Sequence, residues 1–280
     1  MKLEEARVLD HREIGGGYRL LKLAAPAISP AVQPGQFVHV RVPHYETALL
    51  RRPFSVYKTE GSSLSILYKN VGRGTATLTH LQPGDSISLL GPLGHGFPEP
   101  AAEHVPVLVA GGYGMAALYL LARNATQKGV AFFGGRSAQD ILCADEFTGL
   151  GWDLHTATED GTSGYKGLVT EPLDAWLSAE GKDRTPEFFA CGPNGMLQAV
   201  GERAIRGGWK AWLSMDRNMG CGVGACLTCV QKIRQEEGSW QWKRCCKEGP
   251  VFEAREIVWD EDVEAGNSKP ASTPNAPVKM

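Results

Sequence analysis

The chain has 280 residues, enough for about two domains at roughly 150 residues each, and 42% apolar against 21% charged residues describe an ordered globular protein. Lysine and arginine number 29 against 31 aspartate and glutamate, a formal net charge of −2 that lacks the basic surface a polyanion would need, so no nucleic acid partner is expected. The first ten residues interleave charge with apolar positions and contain no secretory apolar core, and no run of roughly eighteen apolar residues follows. A cytoplasmic, reducing setting with no membrane partner is expected. There, grouped cysteines more often hold a metal or do redox chemistry than form disulfides.

From residue 6 to about residue 98, short apolar stretches at 36–42, 63–68 and 86–90 are bounded by glycine or proline, including the turn dipeptides Pro34-Gly35 and Pro83-Gly84. With no long 3.6-residue apolar repeat, this part reads as an antiparallel β-barrel. Arg51, Arg52, Pro53, Phe54 and Ser55 are expected at the end of one of its strands. An arginine can neutralise a pyrophosphate, an aromatic ring can stack on a flavin, and a hydroxyl can hydrogen-bond a flavin nitrogen. Alone, the five more often describe a proline-broken strand with a surface arginine and a core phenylalanine. Leu67, Tyr68 and Lys69, followed by Gly72, Arg73, Gly74 and Thr75 ahead of a helix, strengthen the functional reading, because a glycine-threonine turn at a helix start offers N–H groups to phosphate.

After residue 103 the pattern changes. Residues 105–110 are continuously apolar and end in Gly111, Gly112, Tyr113 and Gly114, and residues 115–122 have helix-forming composition: strand, glycine turn, helix. Further strands at 130–133, 153–158 and 187–190 and helices near 168–179 and 196–205 predict an α/β domain with a mostly parallel sheet covered on both faces. Gly111, Gly112 and Gly114 occupy the position where a dinucleotide pyrophosphate meets a helix N-terminus, although they do not match G-x-G-x-x-G and serve tight packing equally well. Cys191, Gly192, Pro193, Asn194, Gly195 and Met196 form a similar strand-end turn, in which Cys191 reads equally as a small buried residue. Glu159 or Asp160, near a strand end, could meet a ribose hydroxyl. The seven histidines show no metal spacing and read as surface or satisfied core residues.

From about residue 214 the chain becomes irregular and cysteine-rich, with five of its seven cysteines between Cys221 and Cys246. Cys221, Cys226 and Cys229 give C-x4-C-x2-C, the plant-type spacing for a [2Fe-2S] cluster, with Cys245 or Cys246 as the fourth ligand. Gly220, Gly222 and Gly224 suit a loop whose N–H groups must approach sulfur. Zinc is the first alternative, but its structural sites more often use two C-x2-C pairs; purely structural cysteines are the second. Spacing does not choose between Cys245 and Cys246. Trp240 and Trp242 alternate in a strand and read as packing or cluster cover. The segment is a small third unit that depends on its metal to fold, and the Gly, Ser, Pro, Ala and Asn tail at 265–280 reads as disordered.

Together these motifs match a family. Arg52, Pro53, Phe54 and Ser55, then Gly74 and Thr75, the Gly91 to Gly94 turn, the Gly111 to Gly114 turn and the Cys191 to Met196 turn resemble the ferredoxin reductase superfamily. The stretch from Ser214 to Cys229, with Cys246 to Phe252, is similar to the electron transfer subunits of class 1B dihydroorotate dehydrogenases, and the resemblance runs to about Trp259. It implies an α+β multidomain protein: an FAD-binding β-barrel at 1–100, an NAD-binding α/β domain at 101–212, a [2Fe-2S] cluster domain at 213–262 and a disordered tail at 263–280. It implies FAD on Arg52, Pro53, Phe54, Ser55, Leu67, Tyr68, Lys69, Gly74 and Thr75. NAD falls on Gly111, Gly112, Gly114, Cys191, Gly192 and Pro193, and the cluster on Cys221, Cys226, Cys229 and Cys246, the cysteine that precedes Lys247 in the family's motif.

The implied activity is an NAD-linked oxidoreductase subunit. It would pass electrons from the FMN of a partner dihydroorotate dehydrogenase catalytic subunit through the cluster and FAD to NAD+, in de novo UMP biosynthesis, as a heterotetramer with two copies of each chain. No side chain need act as acid or base; Ser55 is placed near flavin N5, Arg52 at the FAD pyrophosphate and Phe54 in the flavin surroundings. The alternatives are the reductase subunit of another NAD(P)-linked complex, such as a ferredoxin:NADP oxidoreductase, a sulfide dehydrogenase or a hydrogenase, and a zinc-stabilised binding module. The chain departs from the family at Tyr113, where a third glycine is usual, at Ala116 or Ala117, where a proline is usual, and in the doubled cysteine. A tyrosine at 113 could gate the nicotinamide path or stack on a ring.

Overall fold

A computed structural model describes residues 1–42 and 50–259 and the backbone of Lys269–Pro270. The rest of the tail expected to be disordered lies outside the described residues. The N-terminal part is a closed antiparallel barrel of six strands in the order β1-β2-β5-β4-β3-β6. These are β1 (Lys2–Gly15), β2 (Tyr18–Ala24), β3 (Phe37–Val40), β4 (Arg52–Glu60), β5 (Ser63–Lys69) and β6 (Ser86–Leu93). Alternation turns Leu21, Leu23, Val38, Val40, Val56, Leu64, Ile66 and Leu89 into one interior, each at most 1% exposed. Each such side chain contributes about 1.5–3 kcal/mol by leaving water. Arg52 starts β4 rather than ending a strand. The short helix α1 (Arg73–Leu78) follows β5 and closes one end of the barrel with the buried Leu78.

The central part is built on a sheet in the order β10-β9-β8-β7-β11-β12-β15. Its strands are β7 (Val105–Gly111), β8 (Val130–Gly135), β9 (Asp153–Thr158), β10 (Tyr165–Lys166), β11 (Pro186–Cys191), β12 (Lys210–Ser214) and β15 (Val251–Glu253). All pair in parallel except β15, which runs antiparallel to β12. The order reverses at β7, which leaves a crevice at the carboxyl ends of β7 and β11. The helices α2 (Met115–Asn124), α3 (Ala144–Gly149), α4 (Thr170–Ala179) and α5 (Asn194–Gly207) cover it. Residues 115–122 of α2 are all buried, because this helix is wedged between the sheet and β4 of the barrel. On α5 only the Leu197, Val200, Gly201 and Ala204 stripe is buried, as its amphipathic sequence dictates.

The cysteine-rich part adds the antiparallel hairpin β13 (Val230–Arg234) and β14 (Ser239–Arg244), with Lys269–Pro270 as a short parallel neighbour of β14. Its strand β15 completes the central sheet, so this unit shares a core with the parallel domain: Cys229, Ile233, Cys245, Cys246 and Phe252 pack with Phe37, Leu93 and Leu213. The barrel and the central domain are held by the Tyr18 hydroxyl, which donates to Asp140 at 2.7 Å, by Lys69 on the same carboxylate at 3.0 Å, and by Arg123 Nη1, which donates to the Thr59 carbonyl at 2.7 Å. Tyr57 packs on Tyr119 across that joint at 4.7 Å between ring centroids.

Candidate functional site

The Arg52 to Ser55 segment is half-buried along the start of β4, paired with β3 so that Ser55 faces Phe37 and Pro53 faces His39. Arg52 donates from Nη1 to the Leu50 carbonyl at 2.8 Å. A methyl group on Gly74 would stand 3.2 Å from Arg52 Nε, so the glycine lets the first turn of α1 close on the guanidinium. Thr75 Oγ1 accepts the Val71 and Gly72 N–H groups, both at 3.0 Å, and orders that turn. The arginine and the first N–H groups of α1, which have no acceptor within the helix, thus share one small region, which is what a pyrophosphate requires. Phe54 and Tyr68 meet edge to face at 5.7 Å. Leu67 and Tyr68 are buried, and the Tyr68 hydroxyl is bound to His11 at 3.0 Å, so what they can offer a flavin is chiefly main chain. Lys69 is engaged with Asp140.

In the central domain the two glycine turns lie side by side at the switch point, since Ala110 is in register with Cys191. At Gly111, Gly114 and Gly192 their spacing leaves no room for a side chain. A methyl group on Gly114 would lie 2.1 Å from the Cys191 carbonyl oxygen, one on Gly111 would lie 2.6 Å from Pro193 Cδ, and one on Gly192 would lie 2.9 Å from the Gly111 nitrogen. Tyr113 projects from the first turn with 49% of its surface exposed. Burial, and next the carboxylate of Asp216, push the Cys191 thiol up to about 12, so it is a neutral thiol. Asp160 is held by its own turn: its carboxylate accepts the Thr162 hydroxyl at 2.7 Å and the Thr162 N–H at 2.9 Å, which leaves Glu159 the freer of the two for a ribose.

The loop between β12 and β13 carries Cys221, Cys226 and Cys229, and the turn after β14 carries Cys245 and Cys246. The Cys221 sulfur accepts the Cys226 N–H at 3.3 Å and the Val223 N–H at 3.5 Å, and the Cys246 sulfur accepts the Gly224 N–H at 3.2 Å. Cys246 therefore faces the loop. Cys245 is fully buried, with its N–H on the Cys229 carbonyl at 2.7 Å. The Thr228 hydroxyl and the neighbouring N–H groups draw the Cys226 thiol down to about 6, whereas burial pushes Cys246 up to about 12. Cys221 also draws Cys226 down, and Cys229 also pushes Cys246 up, so these thiols lie near one another in pairs. Among the described residues no three ligating side chains converge on one point as a single ion requires. Two thiol pairs beside each other, with backbone N–H groups on their sulfurs, fit the four-thiolate donor set of a two-iron cluster.

One residue escaped the sequence reading. His39 was expected to be surface or satisfied, yet it is 0% exposed and neither ring nitrogen has a partner. Such an orphan costs about 1–3 kcal/mol. Its imidazole lies on the cysteine loop, where a methyl group on Gly222 would come within 2.5 Å of Nδ1, and Gly222 also has φ +72. No other residue type fits there. Burial, then Arg51 and Arg52, push the imidazole down to about 4, so the ring is neutral.

The profile of the iron-sulfur cluster binding domain of dihydroorotate dehydrogenase B matches residues 216–258, and that of the oxidoreductase NAD-binding domain matches residues 108–202. The dihydroorotate dehydrogenase B (NAD(+)) electron transfer subunit of Geobacillus kaustophilus is 38% identical over 265 residues, 91% of this chain and 98% of the relative. That of Bacillus cereus strain Q1 is 36% identical over 92% of this chain and 99% of its own length. Among solved structures, an NADH-dependent reduced ferredoxin-NADP oxidoreductase chain superposes with a TM-score of 0.80 at 28% identity, covering 93% of this chain and 92% of that one. A Neisseria gonorrhoeae ferredoxin NADP+ reductase with bound FAD and NADP gives 0.62 at 16% identity, over 78% of this chain and 95% of that one, a likeness of fold.

Proposed function

Since this chain belongs to the family of dihydroorotate dehydrogenase B electron transfer subunits, we propose that it serves as the NAD-linked oxidoreductase subunit of such an enzyme. Its partner would be an FMN-containing catalytic chain, with two copies of each in the complex. The observation that carries this reading is the cysteine constellation, seated against the flavin-type barrel at His39 and Gly222 and sharing a sheet with the dinucleotide-type domain. When bound, the cluster supplies one-electron exchange, FAD joins one- and two-electron exchange, and NAD+ takes the electron pair.

The protein's part is binding, spacing and exclusion of water. Arg52 and the turn of Gly74 and Thr75 would hold the FAD pyrophosphate, Ser55 would give its hydroxyl to flavin N5, and Pro53, Phe54, Leu67, Tyr68 and Lys69 would wall the ring. Gly111, Gly112, Gly114, Cys191, Gly192 and Pro193 would let NAD approach the backbone at the switch point, with Tyr113 at the mouth. Cys221, Cys226, Cys229 and Cys246 would hold the cluster, and Cys245 would pack the core beneath it. The division into an FAD barrel at 1–100, an NAD domain at 101–212 and a cluster unit at 213–262 follows the same reading. A cytoplasmic location suits seven cysteines of which none is in a disulfide. Among the described residues no helix is long and apolar enough to cross a membrane.

A second reading has one observation in its favour, the 0.80 superposition on the ferredoxin-NADP oxidoreductase chain. Co-expression with a dihydroorotate dehydrogenase catalytic chain separates the two. Dihydroorotate-dependent NAD+ reduction by the co-purified complex supports the first, and activity only with reduced ferredoxin supports the second.

A further inference from the structure

His39 sits where the barrel and the cluster unit of the reading above meet. On β3 it is in register with Pro53 of the flavin-side strand and with Leu90 of β6, its ring packs against Phe37 at 5.9 Å, and it lies across Gly222, the residue after Cys221. A leucine or valine would fill that position without leaving polar atoms unsatisfied, and the neighbours Val38 and Val40 do so. Buried polar groups in native proteins have partners. The cysteine loop is folded around the ring rather than away from it, since Gly222 takes a left-handed conformation that brings its backbone onto the imidazole. The missing partner therefore belongs to what the loop holds.

We propose that His39 is a positioning residue whose imidazole N–H donates a hydrogen bond to the sulfur of the [2Fe-2S] cluster held at Cys221, which raises the cluster's reduction potential and fixes the cluster loop on the barrel. This rests on the reading of the four cysteines as cluster ligands. A donor on sulfur favours the more negative, reduced state, so it raises the potential. The choice of the cluster over the flavin follows from contact: the ring lies against the residue beside Cys221, whereas Pro53 of the flavin strand meets His39 through backbone pairing.

The test uses the full-length holoprotein labelled with 15N-histidine, reduced and examined by pulsed EPR, with a parallel EPR-monitored redox titration. The wild type should show a 15N coupling to the reduced cluster that disappears in His39→Phe and in His39→Asn. In His39→Phe the oxidised-to-reduced ratio at the wild-type midpoint should rise about tenfold, a fall of about 59 mV for one electron. His39→Asn keeps an N–H donor and should recover most of that shift, and it serves alone if the phenylalanine variant does not fold. Coupling that survives both substitutions, or a cluster midpoint unchanged at full iron content while the flavin midpoint moves, would overturn the proposal. A wild-type holoprotein with no [2Fe-2S] signal would overturn the cluster reading and the proposal with it.

Discussion

Replacing Gly114 by alanine isolates the requirement that the two glycine turns touch. Gly114 has φ −58 and ψ −25, which alanine adopts freely, so backbone strain plays no part. The added methyl carbon would stand 2.1 Å from the Cys191 oxygen, 2.6 Å from its carbonyl carbon and 3.0 Å from the Gly192 nitrogen, all of them main-chain atoms. Restoring ordinary contact requires the turns to part by roughly 1 Å in a close-packed interior. Overpacking of this kind costs about 1–3 kcal/mol, offset by up to about 1 kcal/mol of helix propensity gained over glycine. A net loss of about 1–2 kcal/mol lowers Tm by about 2–8 °C at 2–4 °C per kcal/mol. The larger effect falls on the nicotinamide: a 1 Å displacement of a positioning element can cost about 10²-fold. NADH:ferricyanide reductase activity should therefore drop roughly 10- to 100-fold while bound FAD stays at wild-type stoichiometry. Gly195→Ala is the control from the same segment, because nothing lies within 4 Å of its added methyl. Wild-type activity and Tm in Gly114→Ala would refute the reasoning, as would an equal loss in Gly195→Ala.

Cys246→Ala should abolish the visible absorbance and iron of the cluster, whereas Cys245→Ala should keep full iron and lose about 1 kcal/mol of stability as a small buried cavity forms; iron quantitation and melting curves distinguish them. Arg52→Ala removes a charge-assisted bond of about 1.5–3 kcal/mol, so FAD affinity of the apoprotein, read by flavin fluorescence, should fall about 10- to 100-fold. Burial opposes ionisation of Asp140, but its bonds to Tyr18 and Lys69 prevail and hold its carboxyl below the usual range. A depressed native pKa gives stability that is present above the unfolded value near 3.9 and is lost as pH falls through the native one. Asp140→Asn should therefore lower Tm at pH 7 and flatten the fall of Tm below about pH 4.

The parallel domain was largely legible because its strands are continuous apolar runs closed by glycine turns, and α2 and α5 appeared within two or three residues of their ends. The barrel was read from the apolar stretches of β3, β5 and β6, each bounded by glycine or proline. Strands β1 and β2 were not found, because β1 carries charges on both sides and its pairing with β6 is a contact some eighty residues away in sequence that no local pattern encodes. Arg52 was placed at a strand end because Lys58 and Glu60 obscure the alternation that continues through Val56. Strand β15 was missed because it is three residues long and joins a sheet built by a different segment. At the site, the C-x4-C-x2-C spacing is a local signal and was readable. The choice of Cys246 over Cys245 depends on which sulfur meets the Gly224 N–H. His39 was hidden because a histidine between two valines looks like an exposed position of a half-buried strand, whereas the cysteine loop covers that face and buries all four residues of β3.

The most direct test of the electron transfer assignment is steady-state NAD+ reduction by dihydroorotate in the complex purified anaerobically with an FMN-containing catalytic chain, with FAD, FMN and iron quantified in the same sample. One FAD and two irons per copy of this chain, with NADH formed only when both chains are present, is the expected result. A complex that turns over dihydroorotate with NAD+ at the same rate without this chain, or a chain that binds neither flavin nor iron, would contradict it.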